Sequence, residues 1–109
     1  MSDIEQIMQE LIKFRDERDW EQFHNPKDLA LAINIESSEL LEEYLWKTSN
    51  EANKENIKEE LADVLSYSFL LAEKYGFDVK QIVLDKIKKN GEKYPIDKSK
   101  GTSLKYNKL

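Results

Sequence analysis

Apolar residues recur at three- and four-residue intervals along most of this 109-residue chain, and no stretch alternates as a strand would. Ile4, Ile7, Met8, Leu11, Ile12 and Phe14 form the first amphipathic run, and Ser2-Asp3-Ile4-Glu5 reads as a capping box before it. A helix is therefore expected from there to about Arg18. Asn25 as N-cap and Pro26 as first helical residue open a second helix, to about Lys47, and leave Trp20–His24 as a connecting loop. Thr48-Ser49-Asn50 is a break in which Ser49 or Asn50 can cap a third helix, from about Ala52 to Tyr75, with Gly76 closing it. Leu61 to Ala72 is apolar nearly all round, so this helix should be the most buried. Asp78-Val79-Lys80-Gln81 can cap a fourth, with Val79, Ile82, Val83 and Ile87 as its apolar side, to about Asn90 and with Gly91 beyond. Tyr94-Pro95 should end regular structure. The pattern predicts an all-α chain, with one helical domain over residues 1–95 and a basic tail over 96–109, extended or disordered, with a turn at Gly101.

Four acids interrupt the apolar stripes. Glu36 and Glu39 lie i, i+3 on the second helix, and Glu60 and Asp63 lie i, i+3 on the third, so each pair projects from one side of its helix. At about 100° per residue Glu36 falls in the stripe of Leu29, Ile33 and Leu40. Asp63 is the only charged residue between Leu61 and Ala72. Carboxylates turned toward a helical core repel one another and lose hydration. A divalent cation removes both difficulties, and a set of hard oxygens suits Mg²⁺ or Mn²⁺ rather than zinc. The plain alternative is that these are solvated acids on highly charged helices, since 36% of the residues are charged.

Length and composition narrow the classes. One domain is expected, and with 39% hydrophobic residues and a mean hydropathy of -0.74 a monomer has little to bury. Oligomerisation would supply more. There is no Cys, hence no disulfide framework and no thiolate site. No segment has the roughly 18 apolar residues of a membrane span, and Met1-Ser2-Asp3 does not open a signal peptide, so a soluble cytoplasmic protein is expected. A net charge of -5 argues against a general nucleic-acid binder. That charge is divided: from Lys86 onward eight Lys face Glu92 and Asp97, a net of +6, which leaves -11 for residues 1–85. An acidic part that can hold metal thus precedes a basic part that can meet an anion such as a polyphosphate.

The Trp20–His24 loop carries two aromatics and the chain's only His. It reads either as a plug over the bundle end or as a pocket in which rings stack on a planar ligand. Tyr67, four residues past Asp63, can face the same site as Asp63, or be a core Tyr with a satisfied hydroxyl. Lys86 and Asn90 are i, i+4 on one helix face and can hold phosphate oxygens, although a lone Lys on a helix is usually solvated.

Taken together, these residues resemble the all-α nucleoside triphosphate pyrophosphohydrolases, the MazG-like family, and in particular its small dCTP pyrophosphatase branch. The resemblance runs from about Phe14 to Tyr94. It rests on Glu-Arg-Asp-Trp-Glu-Gln-Phe-His-Asn-Pro at 17–26, on Glu36/Glu39 followed by Trp46, on Glu-Glu-Leu-Ala-Asp-Val at 59–64, and on Lys86, Asn90 and Lys93-Tyr94-Pro95. It implies an oligomeric four-helix bundle, a homodimer or homotetramer, that hydrolyses a nucleoside triphosphate, dCTP or a modified pyrimidine among the candidates, to the monophosphate and pyrophosphate. By the same resemblance Glu36, Glu39, Glu60 and Asp63 hold Mg²⁺, or Mn²⁺. Trp20, Phe23, His24, Trp46 and Tyr67 form the base pocket, and Lys86 and Asn90 meet phosphate oxygens. Glu39, with Glu60 second, is the candidate general base. One departure stands out: the branch can carry a His nine residues before the loop Trp, where this chain has Leu11. The competing readings are a nucleotide-binding module without catalysis and a helical interaction module.

Overall fold

The structure, a computed structural model, describes residues 1–109. It is all-α, with helices α1 (Asp3–Glu17), α2 (Pro26–Glu42), α3 (Lys54–Tyr75), α4 (Val79–Lys93) and the one-turn α5 (Ile96–Ser99). The chain divides into two compact units, Met1–Phe77 and Asp78–Leu109. No helix is long and apolar enough to cross a membrane.

In the first unit the caps explain where the helices start and stop. Ser2 Oγ accepts from the Glu5 amide at 3.2 Å, and Glu5 returns a carboxylate to the Ser2 amide at 3.0 Å. At the other end of α1 the Asp19 amide donates to the Asp16 carbonyl and the Trp20 amide to the Arg15 carbonyl, both at 3.1 Å. This pair of bonds is the Schellman pattern, with Asp19 in the left-handed region at φ 55°. It reverses the chain and throws Trp20 back along the helix. A 3-10 turn, Glu21–Phe23, follows, and Asn25 Oδ1 then caps α2 through the Asp28 amide at 2.9 Å.

The α2–α3 seam follows from spacing. Leu29, Ile33, Glu36, Leu40 and Glu43 on α2, and Ile57, Glu60, Val64, Tyr67, Leu71 and Lys74 on α3, alternate steps of three and four and are all at least partly buried. Helices α2 and α3 pack along each other, and α1 lies against α3. Leu29 is 1% exposed and is the best-packed large side chain. Leu29→Ala is expected to cost about 3 kcal/mol, because it leaves a cavity in a small core; a urea melt of the variant against the parent measures it. The expected burial of the third helix is met at Leu70 and Ala72, but Leu61 and Leu65 remain half-exposed within one chain.

Several boundaries differ from the sequence expectation. Helix α2 stops at Glu42, not near Lys47, because the Glu43, Tyr44, Leu45 and Lys47 amides bond carbonyls three residues back and Trp46 adopts φ 60°, which no helix accommodates. Helix α3 begins at Lys54. Asn53 caps it through the Glu55 and Asn56 amides, while Thr48 caps a separate 3-10 turn, Ser49–Glu51. At its end Gly76 takes φ 70°, and the Phe77 amide reaches back to Ala72 at 2.9 Å.

In the second unit Asp78 caps α4 through the Gln81 amide at 2.8 Å, as its position suggested. Gly91 does not terminate the helix; it lies inside α4 without a positive φ, and the Tyr94 amide still bonds Asn90 at 2.8 Å. Regular structure does not end at Tyr94-Pro95 either. Pro95, with its φ preset, leads into α5, and a 3-10 turn spans Tyr106–Lys108. Tyr94 and Tyr106 meet edge to face at 6.1 Å, and Lys93 sits over the Tyr106 ring.

Candidate metal and nucleotide site

The seam positions place Glu36 and Glu60 where a helix pair ordinarily puts apolar residues. Both are partly buried, and each has one carboxylate oxygen, Oε2, that is sealed from solvent and lacks a hydrogen-bond partner. One oxygen from each of Glu36, Glu60 and Asp63 lies within 4.8 Å of the others. Two oxygens on one Mg²⁺ are separated by at most about 4.2 Å at bond lengths near 2.1 Å, so small side-chain rotations bring the trio into range. Glu39, one turn beyond Glu36 and exposed, comes within hydrogen-bond reach of both Glu36 and Glu60. Glu43 closes the far end of the seam by accepting from Asn56 Nδ2 at 3.1 Å.

The electrostatics record the crowding. Burial, then a hydrogen bond shared with Glu39, then repulsion from Glu39, Asp63 and Glu60, push Glu36 up to about 7. Burial, then a hydrogen bond shared with Glu39, then repulsion from Glu39, Asp63 and Glu43, raise Glu60. With all four acids ionised, no donor faces either sealed oxygen; a proton shared with Glu39, or a cation, supplies what is missing. The unpaired oxygens, the short mutual distances and the all-carboxylate donor set fit a hard divalent ion. The expectation of a dry interior is corrected in one respect: Glu39 and Asp63 are exposed, so the cluster is open to water on one side.

Asp63 also lines a pocket of about 270 Å³ between α1, the 19–25 loop and α3. At roughly 30 Å³ per water, this is room for a planar heterocycle. Its wall is a chain of rings: Phe14 to Trp20 at 5.8 Å, Trp20 to His24 at 6.5 Å and His24 to Tyr67 at 6.4 Å, each edge to face. Burial, then the positive charges of Arg15 and Lys74, lower the His24 pKa and favour the neutral imidazole, whose buried Nδ1 has no partner. Burial also raises Tyr67, with Glu36 adding repulsion.

The structure thus brings Trp20, His24 and Tyr67 together beside Asp63. Phe23 is 62% exposed and Trp46 is 94% exposed, and neither lines this pocket within one chain. Lys86 and Asn90 share a shallow groove with Ile82, Val83 and Ile87 on α4, in the second unit. Phe14, Arg15, Ser66 and Leu70 line the pocket and were not singled out from the sequence. For Arg15 the signal was present: it continues the 4, 8, 11, 15 stripe of α1 and is a charge on an apolar face, as Glu36 is.

Residues 31–109 match the sequence profile of the MazG-like family. The chain belongs to the MazG-like family. Among its MazG-like relatives, dCTP pyrophosphatase 1 of Mus musculus is 40% identical, over 97% of this chain and 67% of the relative. That of Homo sapiens is 38% identical over the same shares. A solved pyrophosphatase from Archaeoglobus fulgidus DSM 4304 superposes with a TM-score of 0.81 at 37% identity, covering 87% of this chain and 94% of that one.

Proposed function

We infer that this MazG-like chain is a nucleoside triphosphate pyrophosphohydrolase that takes a deoxynucleoside triphosphate, with dCTP or a modified pyrimidine as the first candidates. The observation that carries this is the joining of two unlike features at one residue: Asp63 belongs both to the carboxylate cluster and to the ring-walled pocket. A substrate with a flat base at one end and polyphosphate at the other matches that juxtaposition. The relatives' names point the same way.

Glu36, Glu39, Glu60 and Asp63 would hold Mg²⁺, or Mn²⁺. When bound, such an ion neutralises phosphate charge and makes a coordinated water more acidic. Glu39 is exposed and within hydrogen-bond reach of both Glu36 and Glu60, so it has a lone pair free to take a proton from the attacking water. Glu60 is the second candidate. The water oxygen bonds to phosphorus, the bridging oxygen leaves with pyrophosphate, and the monophosphate remains. Trp20, His24 and Tyr67 orient the base. The family resemblance adds Phe23 and Trp46 to the base pocket, and Lys86 and Asn90 as phosphate contacts.

A homodimer or homotetramer fits the surface of the first unit. Ile35, Leu41, Leu45 and Trp46 are 55%, 71%, 57% and 94% exposed, more apolar surface than a monomeric chain ordinarily leaves in water. Sedimentation at micromolar concentration should give a multiple of the 12.9 kDa chain mass, and a monomer would refute the assembly. We place the reaction in the cytoplasm, where its substrate pool lies.

The deciding assay offers each common deoxynucleoside triphosphate with Mg²⁺ and measures pyrophosphate. Release from at least one, dependent on Mg²⁺, is expected; none above background defeats the reading.

A further inference from the structure

Arg15 is the only buried charge in the chain, at 4% exposure. Its Nε donates to Asp16 Oδ1 at 2.8 Å and its Nη1 to Glu73 Oε2 at 2.9 Å, and its Nη2 lies 3.7 Å from Glu21 Oε2. Lys74 Nζ holds the other oxygen of Glu21 at 3.4 Å. The Arg15 carbonyl, meanwhile, accepts from the Trp20 amide. Backbone and side chain of one residue therefore grip the segment that carries Trp20 and His24, and tie it to α3.

Sealing a guanidinium from water is costly, and an apolar side chain of similar volume commonly serves stability as well or better. What the ion pairs add is a fixed geometry. That geometry matters here because Asp63 and Glu73 lie on the same side of α3, ten residues and so about 15 Å apart along the axis, with Ser66, Tyr67 and Leu70 between them. The pocket is framed by a carboxylate cluster at one end and by the Arg15–Glu73 pair at the other. Leu11, one turn before Arg15 on α1, offers no polar group to do the same work.

We propose that Arg15 is a positioning residue: it holds the Trp20–His24 segment against α3 and so sets the wall that orients the base. The ligand part of this rests on the pyrophosphohydrolase reading; the clamp itself does not. Loss of the clamp changes substrate binding and leaves the carboxylate chemistry intact.

The test compares Arg15→Met, Arg15→Lys and Glu73→Ala in the full chain. Native-state hydrogen exchange should quicken about tenfold or more at the Phe23 and His24 amides in Arg15→Met, with the α2 and α3 amides unchanged. KM for the best nucleotide should rise about tenfold while kcat stays within about threefold. Glu73→Ala should reproduce both changes and Arg15→Lys should restore them in part, since an ammonium makes one of the two contacts. Glu73→Ala leaves the guanidinium in place and carries the test if Arg15→Met does not fold. Unchanged loop exchange, equal quickening throughout the first unit, or a fall in kcat at constant KM would each overturn the proposal. A parent chain that cleaves no nucleotide would remove the pyrophosphohydrolase reading, whereas the exchange measurement needs no substrate and still decides the clamp.

Discussion

Glu39→Gln should reduce kcat by about 10²–10⁴-fold, the range lost with a general base, while the fold persists. The substitution keeps the side chain's size and removes its ability to take a proton, together with its charge toward the cation. Because Glu39 is exposed, its loss opens no cavity. Asp63→Asn should be comparably inactive for another reason: Asp63 joins the cluster to the pocket, and a neutral amide holds a hard cation poorly. Rates at saturating Mg²⁺ and nucleotide, with far-ultraviolet circular dichroism as the folding control, measure both. Full activity in either variant would strike that residue from the scheme. If Glu39→Gln stays active and Glu60→Gln does not, the base is Glu60.

A second large effect should appear in stability and reverse sign with metal. In chelator, Glu36 keeps its proton in the fold to about 7, whereas in the unfolded chain it loses it near 4.5. Between those values the folded state binds more protons than the unfolded state, so stability falls as pH rises across the window. The loss is on the order of 2 kcal/mol once water's access to the partly exposed cluster is allowed for, or several degrees in Tm. Glu36→Gln removes the repulsion and supplies the donor that Glu60 and Glu39 lack. It should therefore melt higher than the parent at pH 8 in chelator and lower than the parent once Mg²⁺ is added. A cation bound only by the fold stabilises the parent by about 2.7 kcal/mol at a concentration one hundred times its Kd. Melting curves at pH 5 and pH 8, with chelator or Mg²⁺, give all the comparisons. A parent whose Tm ignores Mg²⁺ at pH 8 would mean that the acids hold no ion.

Both effects trace back to residues that break the rule of their own helix face. The 3.6-residue period says where Glu36 and Glu60 must point, and the seam puts them there. It says less about Asp63 and Glu39, which sit at the seam's margin, where depth depends on how far the second helix has rolled. Trp46 shows the limit from the other side. Its place in a helical pattern was plain, yet i→i+3 winding at Glu43, Tyr44 and Leu45 and a φ of 60° take it out of α2 and into solvent.

The N-terminal caps of α1, α2 and α4, the helix content and the pairing of acids by i, i+3 were determined by the sequence alone, because each depends on neighbours within one turn. Capping side chains find amides three residues away, and helical periodicity assigns each side chain its azimuth. Tertiary structure alone decided that Asp63 belongs to both the carboxylate cluster and the ring-walled pocket, that His24 rather than Phe23 closes the ring wall, and that Arg15 meets Glu73 across 58 positions of sequence. Those contacts depend on the roll and spacing of whole helices, which are set by the summed packing of many side chains and leave no local mark on the residues that finally touch.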